Sequence, residues 1–169
     1  MGTKRRPATE AEARALASST RLRILRLCLD QALTNKEIAD RLGANPATTL
    51  HHVRRLVETG FLAAAPSRPG PRGSTEIPYR ATGKSWEMDI RESGVSSAML
   101  DAFLEEVRLA DVEEGDFTRL GLRLTPERHD ELRRRLQELL DHFRDLGPEP
   151  GGEAYSVFVA LHRDVTRDA

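Results

Sequence analysis

The stretch LTNKEIADRLGANPATTLHHVRRLVETGFL, Leu33 to Leu62, decides how this chain is read. Thr34 stands three residues before Glu37, the spacing at which a cap hydroxyl and an acidic side chain satisfy each other's backbone amides. Ile38, Ala39 and Leu42 then fall on one helical stripe. Gly43 supplies a residue that tolerates the left-handed conformation ending a helix, Asn45 is a cap for the next one, and Pro46 suits a first position where no amide donor is needed. In the second helix Thr49, Val53, Leu56 and Gly60 recur at i, i+4, i+7 and i+11, with Val57 beside them. The spacing therefore predicts two short helices bent sharply around three residues, a helix-turn-helix. The outward residues of its second helix, Thr48, His51, His52, Arg54 and Arg55, offer the hydroxyl, imidazole and guanidinium groups that meet base edges and phosphates in a major groove, and Asn45 and Ala47 at its start complete the candidate DNA contacts. The competing reading is an ordinary helical hairpin with a solvated basic face.

Downstream, Phe61–Ala64 and Thr75–Thr82 flank Ala65–Ser74, whose three prolines and two glycines exclude helix and strand and predict the loop of a long hairpin. This is a wing, with Arg68 and Arg72 at its tip as candidate contacts to a phosphate or an adjacent minor groove. Upstream, Met1–Pro7 reads as a mobile basic tail, Thr9–Ala17 as an alanine-rich helix, and Arg21 to about Gln31 as a helix with Leu22, Ile24, Leu25, Cys28 and Leu29 in its apolar stripe.

Residues 86–169 differ in character. The stretch around Trp86 and Met88 is irregular. Ser96 or Ser97 is a candidate cap for a helix to about Val112 with Met99, Leu100, Phe103, Leu104 and Val107 inward. Phe117–Thr125 alternates as a half-buried strand. Thr125-Pro126 opens a helix that holds its period through Leu132, Leu136, Leu139, Leu140, Phe143 and Leu146. Tyr155–Leu161 is apolar on both faces, as a well-buried strand would be. The fold class expected is α+β: a winged helix-turn-helix over residues 8–85, and an acidic strand-helix-strand module over 86–169 that serves dimerisation or regulation.

The chain's 169 residues carry a net charge of −1, which alone argues against a nucleic-acid partner. Its distribution reverses that: Met1–Ser85 holds 15 Lys and Arg against 7 Asp and Glu, a balance of +8, and Trp86–Ala169 holds 11 against 20, a balance of −9. No apolar run reaches the length of a membrane span and no apolar segment follows the basic N-terminus, so the expectation is a cytoplasmic protein. The single cysteine, Cys28, has no disulfide partner and sits among leucines, where a buried thiol is expected. No glycine-rich phosphate loop, zinc-ligand spacing or nucleophile-base constellation is present, so no enzyme and no cofactor is expected.

Ser18-Ser19-Thr20-Arg21-Leu22-Arg23-Ile24-Leu25, followed by Leu33-Thr34, Glu37-Ile38-Ala39, Leu42-Gly43, Thr48, His52-Val53, Leu56 and Glu58-Thr59-Gly60-Phe61, resembles the winged-helix domain of the ArsR-type bacterial transcription regulators. The C-terminal segments Arg123–Glu127 and Val157–His162 are similar to an extension found in some members. The resemblance implies a homodimer that places the Pro46–Thr59 helix of each subunit in successive major grooves of a palindromic site. Double-stranded DNA and a second copy are thus the expected partners, and a small-molecule effector is a further candidate. Where many relatives carry metal-sensing cysteines this chain reads Thr34-Asn35-Lys36-Glu37-Ile38. His129 and His142 fall on different faces of one helix, and His51 and His52 diverge, so no metal site is expected. The alternative function is a winged-helix interaction module that does not read DNA sequence.

Overall fold

A computed structural model describes residues 5–89, 95–111 and 115–167, the side chain of Arg72 excepted. It divides into two compact units, one ending at Ala110 and one beginning at Asp111.

In the first unit the helices form where caps and apolar period demand them. Helix α1 (Glu10–Leu16) opens on a complete capping box between Thr9 and Glu12, and α2 (Ser19–Leu27) on Ser18. Helix α3 (Asn35–Leu42) has the Thr34–Glu37 capping box and ends at Gly43, whose φ of 61° is left-handed. Helix α4 (Pro46–Glu58) is capped by Asn45, with Pro46 at its start. The expected stripe of α2 is cut short. The helix stops at Cys28 because the Cys28 carbonyl accepts from Ala81 N at 2.9 Å, which turns the chain toward the sheet and leaves Leu29 exposed.

Among the described residues seven short strands accompany these helices: β1 (Arg6–Pro7), β2 (Leu33–Thr34), β3 (Leu62–Ala64), β4 (Arg68–Pro69), β5 (Thr75–Glu76), β6 (Pro78–Ala81) and β7 (Met88–Asp89). The main sheet runs β2-β6-β3, antiparallel throughout, with Leu33 opposite Tyr79 and Leu62 opposite Ala81. The wing loop, expected to hold neither helix nor strand, carries the β4–β5 bridge and a 3-10 turn at Pro71–Gly73. Pro71 lies in the tip turn, which is closed by Gly70 N to Ser74 O at 2.7 Å and by Ser74 N and Oγ to the Pro71 carbonyl at 3.2 and 2.9 Å, while Pro69 ends the short β4. The expected mobile tail is also corrected at its end. Arg6–Pro7 pairs in parallel with Met88–Asp89, and the Arg6 guanidinium grips Glu12.

Ala15, Leu16, Ile24, Cys28, Ile38, Val53, Leu56, Phe61, Leu62, Met88 and Val95 form one buried core beneath the sheet and helices. Burial pushes the Cys28 thiol up to about 11, so it is packing material and not a nucleophile.

Helix α5 (Val95–Val107) belongs to this unit and packs on α1 and α2. It does so with its small residues: Val95, Ala98 and Ala102 are buried, whereas Met99, Leu100 and Leu104, expected inward, are exposed. Small side chains let two helices approach closely, and the large ones are turned away. Ser96 and Ser97 lie inside the helix, and Val112, its expected end, is outside the described residues. Glu105 and Glu106 are bound by Arg23 and Arg26 of α2, at 2.8 and 3.0 Å. The charge boundary at residue 85 is therefore not the packing boundary, because these acids belong to the basic half's surface.

In the second unit α6 (Pro126–Leu146) forms as expected, with Thr125 as cap and Pro126 at its start. Phe117–Thr125 and Tyr155–Leu161, expected as strands, have no strand hydrogen bonding. Arg123 Nη2 donates to the Arg167 carbonyl at 3.1 Å, which brings residues flanking the helix together without a ladder. A strand requires a partner edge, and no described residue between 115 and 167 is buried: Phe143 is 64 % and Tyr155 82 % exposed.

Among the described residues of the first unit Glu12 is the buried charge, 6 % exposed, and its Oε1 is met by both Arg6 Nη2 and Lys84 Nζ at 2.7 Å. The Arg6 hydrogen bonds, then those of Lys84 and Thr9, hold its carboxyl well below the usual carboxylate range against the opposing effect of burial. That stabilisation is complete above the unfolded carboxyl value of about 4.3 and drains away as pH falls below it. Glu12→Gln is expected to cost about 2 kcal/mol at pH 7, between exposed-pair and buried-pair values, and to lose that penalty toward pH 3. Urea unfolding of both proteins across pH 3–7 measures this; a penalty independent of pH contradicts it.

Candidate nucleic-acid interface

Helix α4 owes its orientation to one buried side. Thr49, Val53 and Leu56 enter the core, and Thr49 Oγ1 also bonds the Asn45 carbonyl at 3.0 Å. With one side fixed at 3.6 residues per turn, the opposite side is fixed too: Ala47, Thr48, His51 and Arg54 are exposed, while His52 and Arg55 are half-buried on its flank. Val57, expected beside the inner stripe, is exposed.

Both ends of the helix are fastened. Asn45 Oδ1 accepts from Ala47 N at 2.8 Å, and Asn35 Nδ2 of α3 donates to the Pro46 carbonyl at 2.9 Å, stapling the two helix starts together. At the other end Lys84 Nζ donates to the Thr59 carbonyl at 2.6 Å while bonding Glu12, a cation where the helix dipole is negative. The first turn of α4 carries no acid, so its free amide end is positive and open to an anion.

The predicted contact residues fall into groups. Asn45, Ala47, Thr48, His51 and Arg54 share one exposed face. Arg55 lies 3.5 Å from Glu58 on the same helix. Arg68 is already engaged: its Nη2 donates to Glu37 Oε1 at 2.6 Å and its Nε lies 3.5 Å from Glu76. The other Glu37 oxygen accepts from Thr34 N and Oγ1, so a single carboxylate caps α3 and holds the wing. The Thr34 bond first, then Arg68, keeps the Glu37 carboxyl below its ordinary range. The Arg72 side chain lies outside the described residues. Sequence reasoning passed over Asn35 and Arg21. Arg21 Nη1 lies 3.3 Å from His52 Nδ1, a contact across 31 positions that no local pattern announces.

A family model described as a helix-turn-helix domain matches residues 16–63. With the hairpin that follows, this segment has a winged helix-turn-helix fold. No curated protein matches the chain. Among solved structures, the C30AH42A mutant of Lactococcus lactis ZitR is 20 % identical over 75 % of both chains, with a TM-score of 0.36. A possible transcriptional regulator from Methanosarcina mazei is 16 % identical over 59 % of this chain and 84 % of its own, with a TM-score of 0.38. The transcriptional regulator SlyA is 16 % identical over 75 % of both, at 0.33.

The Glu37–Arg68 pair is half-exposed on both sides, so its strength is modest. A double-mutant cycle with Glu37→Gln and Arg68→Ala is expected to give a small favourable coupling in denaturant unfolding that falls by half or more in 1 M salt. Zero coupling at low salt would show that the wing is not held to α3.

Proposed function

We propose that this protein is a sequence-specific DNA-binding transcription regulator of the ArsR type, a homodimer that sets α4 of each subunit in successive major grooves of a palindromic site. The observation that carries this reading is the exposed α4 face of Thr48, His51 and Arg54 on a helix fastened at both ends. Thr48 and His51, near the start of α4, are assigned to base edges and Arg54 and Arg55 to phosphates, with Arg68 and Arg72 bringing the wing to the flanking backbone. The +8 balance of the N-terminal half supports it, since phosphate neutralisation dominates affinity for DNA.

Dimerisation is supported by apolar surface that one chain leaves uncovered. Met99, Leu100 and Leu104 line the outer side of α5, and Leu139, Phe143 and Leu146 that of α6. Such runs mark association sites in water. The acidic C-terminal half is assigned to holding the dimer, and a small-molecule effector acting there would have to change the spacing of the two α4 helices. Among the described residues no helix is long and apolar enough to cross a membrane, and no group of three His, Cys, Asp or Glu side chains is placed to hold a metal ion.

Selection from a random pool of double-stranded DNA is the test. A palindrome should be enriched, with affinity falling roughly a thousandfold between 50 and 200 mM salt if about six phosphates are contacted. Arg54→Ala should flatten the log affinity against log salt slope by about 0.9, whereas Thr48→Ala or His51→Ala should relax base preference and leave the slope alone. No enrichment, or binding insensitive to salt, favours the interaction-module reading. For the dimer, Phe143→Glu should raise the dissociation constant at least about tenfold in sedimentation equilibrium, because a charge would be buried at the interface.

A further inference from the structure

Arg21 stands outside the helix-turn-helix, in the first turn of α2, yet every nitrogen of its guanidinium is engaged. Nε donates to the Ala15 carbonyl and Nη2 to the Arg14 carbonyl at 2.8 Å, two groups left open at the C-terminal end of α1. The third, Nη1, faces His52 Nδ1 at 3.3 Å. The two carbonyls fix the plane of the guanidinium, so the direction of the third donor is fixed as well.

The chemistry of this contact permits one arrangement. A guanidinium has donors and no acceptor, so the ring nitrogen facing it must be the unprotonated one, and in a neutral imidazole the proton is then on Nε2. Protonation of Nδ1 would set a second cation against Arg21, with His51 on the next position and Arg55 one turn along adding to the repulsion. Burial first, then Arg21 and His51, hold His52 below the ordinary histidine range, and Arg55 acts on Arg21. Charged groups reach it from α2 and from α4 itself.

We infer that Arg21 is a positioning residue for DNA binding, holding His52 as the neutral Nε2–H tautomer so that the ring donates a hydrogen bond to a backbone phosphate oxygen. The phosphate is chosen over a base edge by position. His52 sits on the flank of α4 beside the buried Thr49–Val53–Leu56 side and level with Arg55, whereas Thr48, His51 and Arg54 occupy the outward face. The contact is with an oxygen acceptor and carries no cation, so it adds affinity without adding to counterion release. The inference rests on the proposed DNA-binding role for its partner, but not for the tautomer.

The experiment has two arms on the full chain. Long-range nitrogen-proton NMR of the free protein at pH 7.5 should show His52 neutral with Nε2 protonated, and Arg21→Met should convert it to a mixture of tautomers. An Nδ1–H ring or an imidazolium in the unaltered protein overturns the proposal. In the second arm Arg21 is intact and DNA affinity is compared for His52→Gln, whose amide NH2 falls near Nε2, and His52→Asn, whose amide falls near Nδ1. His52→Asn should bind about tenfold more weakly than His52→Gln on every sequence, with equal salt slopes, as for one lost hydrogen bond to a charged group. Equal binding overturns the phosphate contact, and a loss confined to some sequences assigns His52 to a base instead. A chain that binds no DNA at all overturns the proposed function and the phosphate, and leaves the first arm standing.

Discussion

The carboxylate of Glu12 is the point on which the first unit is assembled. It lies in the N-terminal turn of α1, caps that helix, and binds Arg6 at 2.7 Å and Lys84 at 2.7 Å. Arg6 belongs to β1, which pairs with β7, and Lys84 follows the last strand of the wing and reaches the carbonyl of Thr59 at the end of α4. One buried anion thus ties together the chain's beginning, the return of the wing and the C-terminal end of the exposed helix. Burying a lone carboxylate would cost several kcal/mol, so these elements are held in a single arrangement by the need to keep it paired.

That arrangement turns a packing problem into a display. Because Thr49, Val53 and Leu56 must be covered, Thr48, His51 and Arg54 must not be; because α1 ends against Arg21, the flank of α4 meets a fixed guanidinium. The wing is held in the same economy of groups, Arg68 closing on the carboxylate that already caps α3. The acidic half has the opposite surface character. Its helix α6 spends its charges on itself, Arg134 with Glu138 and Arg135 with Glu131, and leaves Leu139, Phe143 and Leu146 to solvent. A surface that neutralises its own charge and exposes leucine and phenylalanine suits an apolar partner surface of the same kind.

What was legible in the sequence was what lies within four residues of its cause. The Thr34, Asn45 and Thr125 caps, the left-handed Gly43 and the prolines at helix starts are local devices, and the helices they delimit lie at those positions, whereas the Thr9 cap, with its Glu12 partner, is seen only in the fold. Contacts between distant positions were not legible: β1 against β7, Arg21 against His52, Arg68 against Glu37. The inward face of α5 was misread because size was equated with burial, when close packing on α1 and α2 selects Ala98 and Ala102 instead. The two C-terminal strands are expected from apolar patterning, which records the faces a segment could offer but not whether a partner edge is there to pair with it. The exposed face of α4 was legible as a face, since period alone defines it, while the division of labour within it depends on neighbours brought in from α2 and the wing.

On the proposed function DNA is met by the α4 face and the wing. Backbone amide shifts of the labelled chain, titrated with a selected duplex, test it most directly. The largest changes are expected between Asn45 and Arg55, with a second group at Arg68–Gly73, and little change in Pro126–Leu146. Changes concentrated in Pro126–Leu146, with Asn45–Arg55 unmoved, would contradict it.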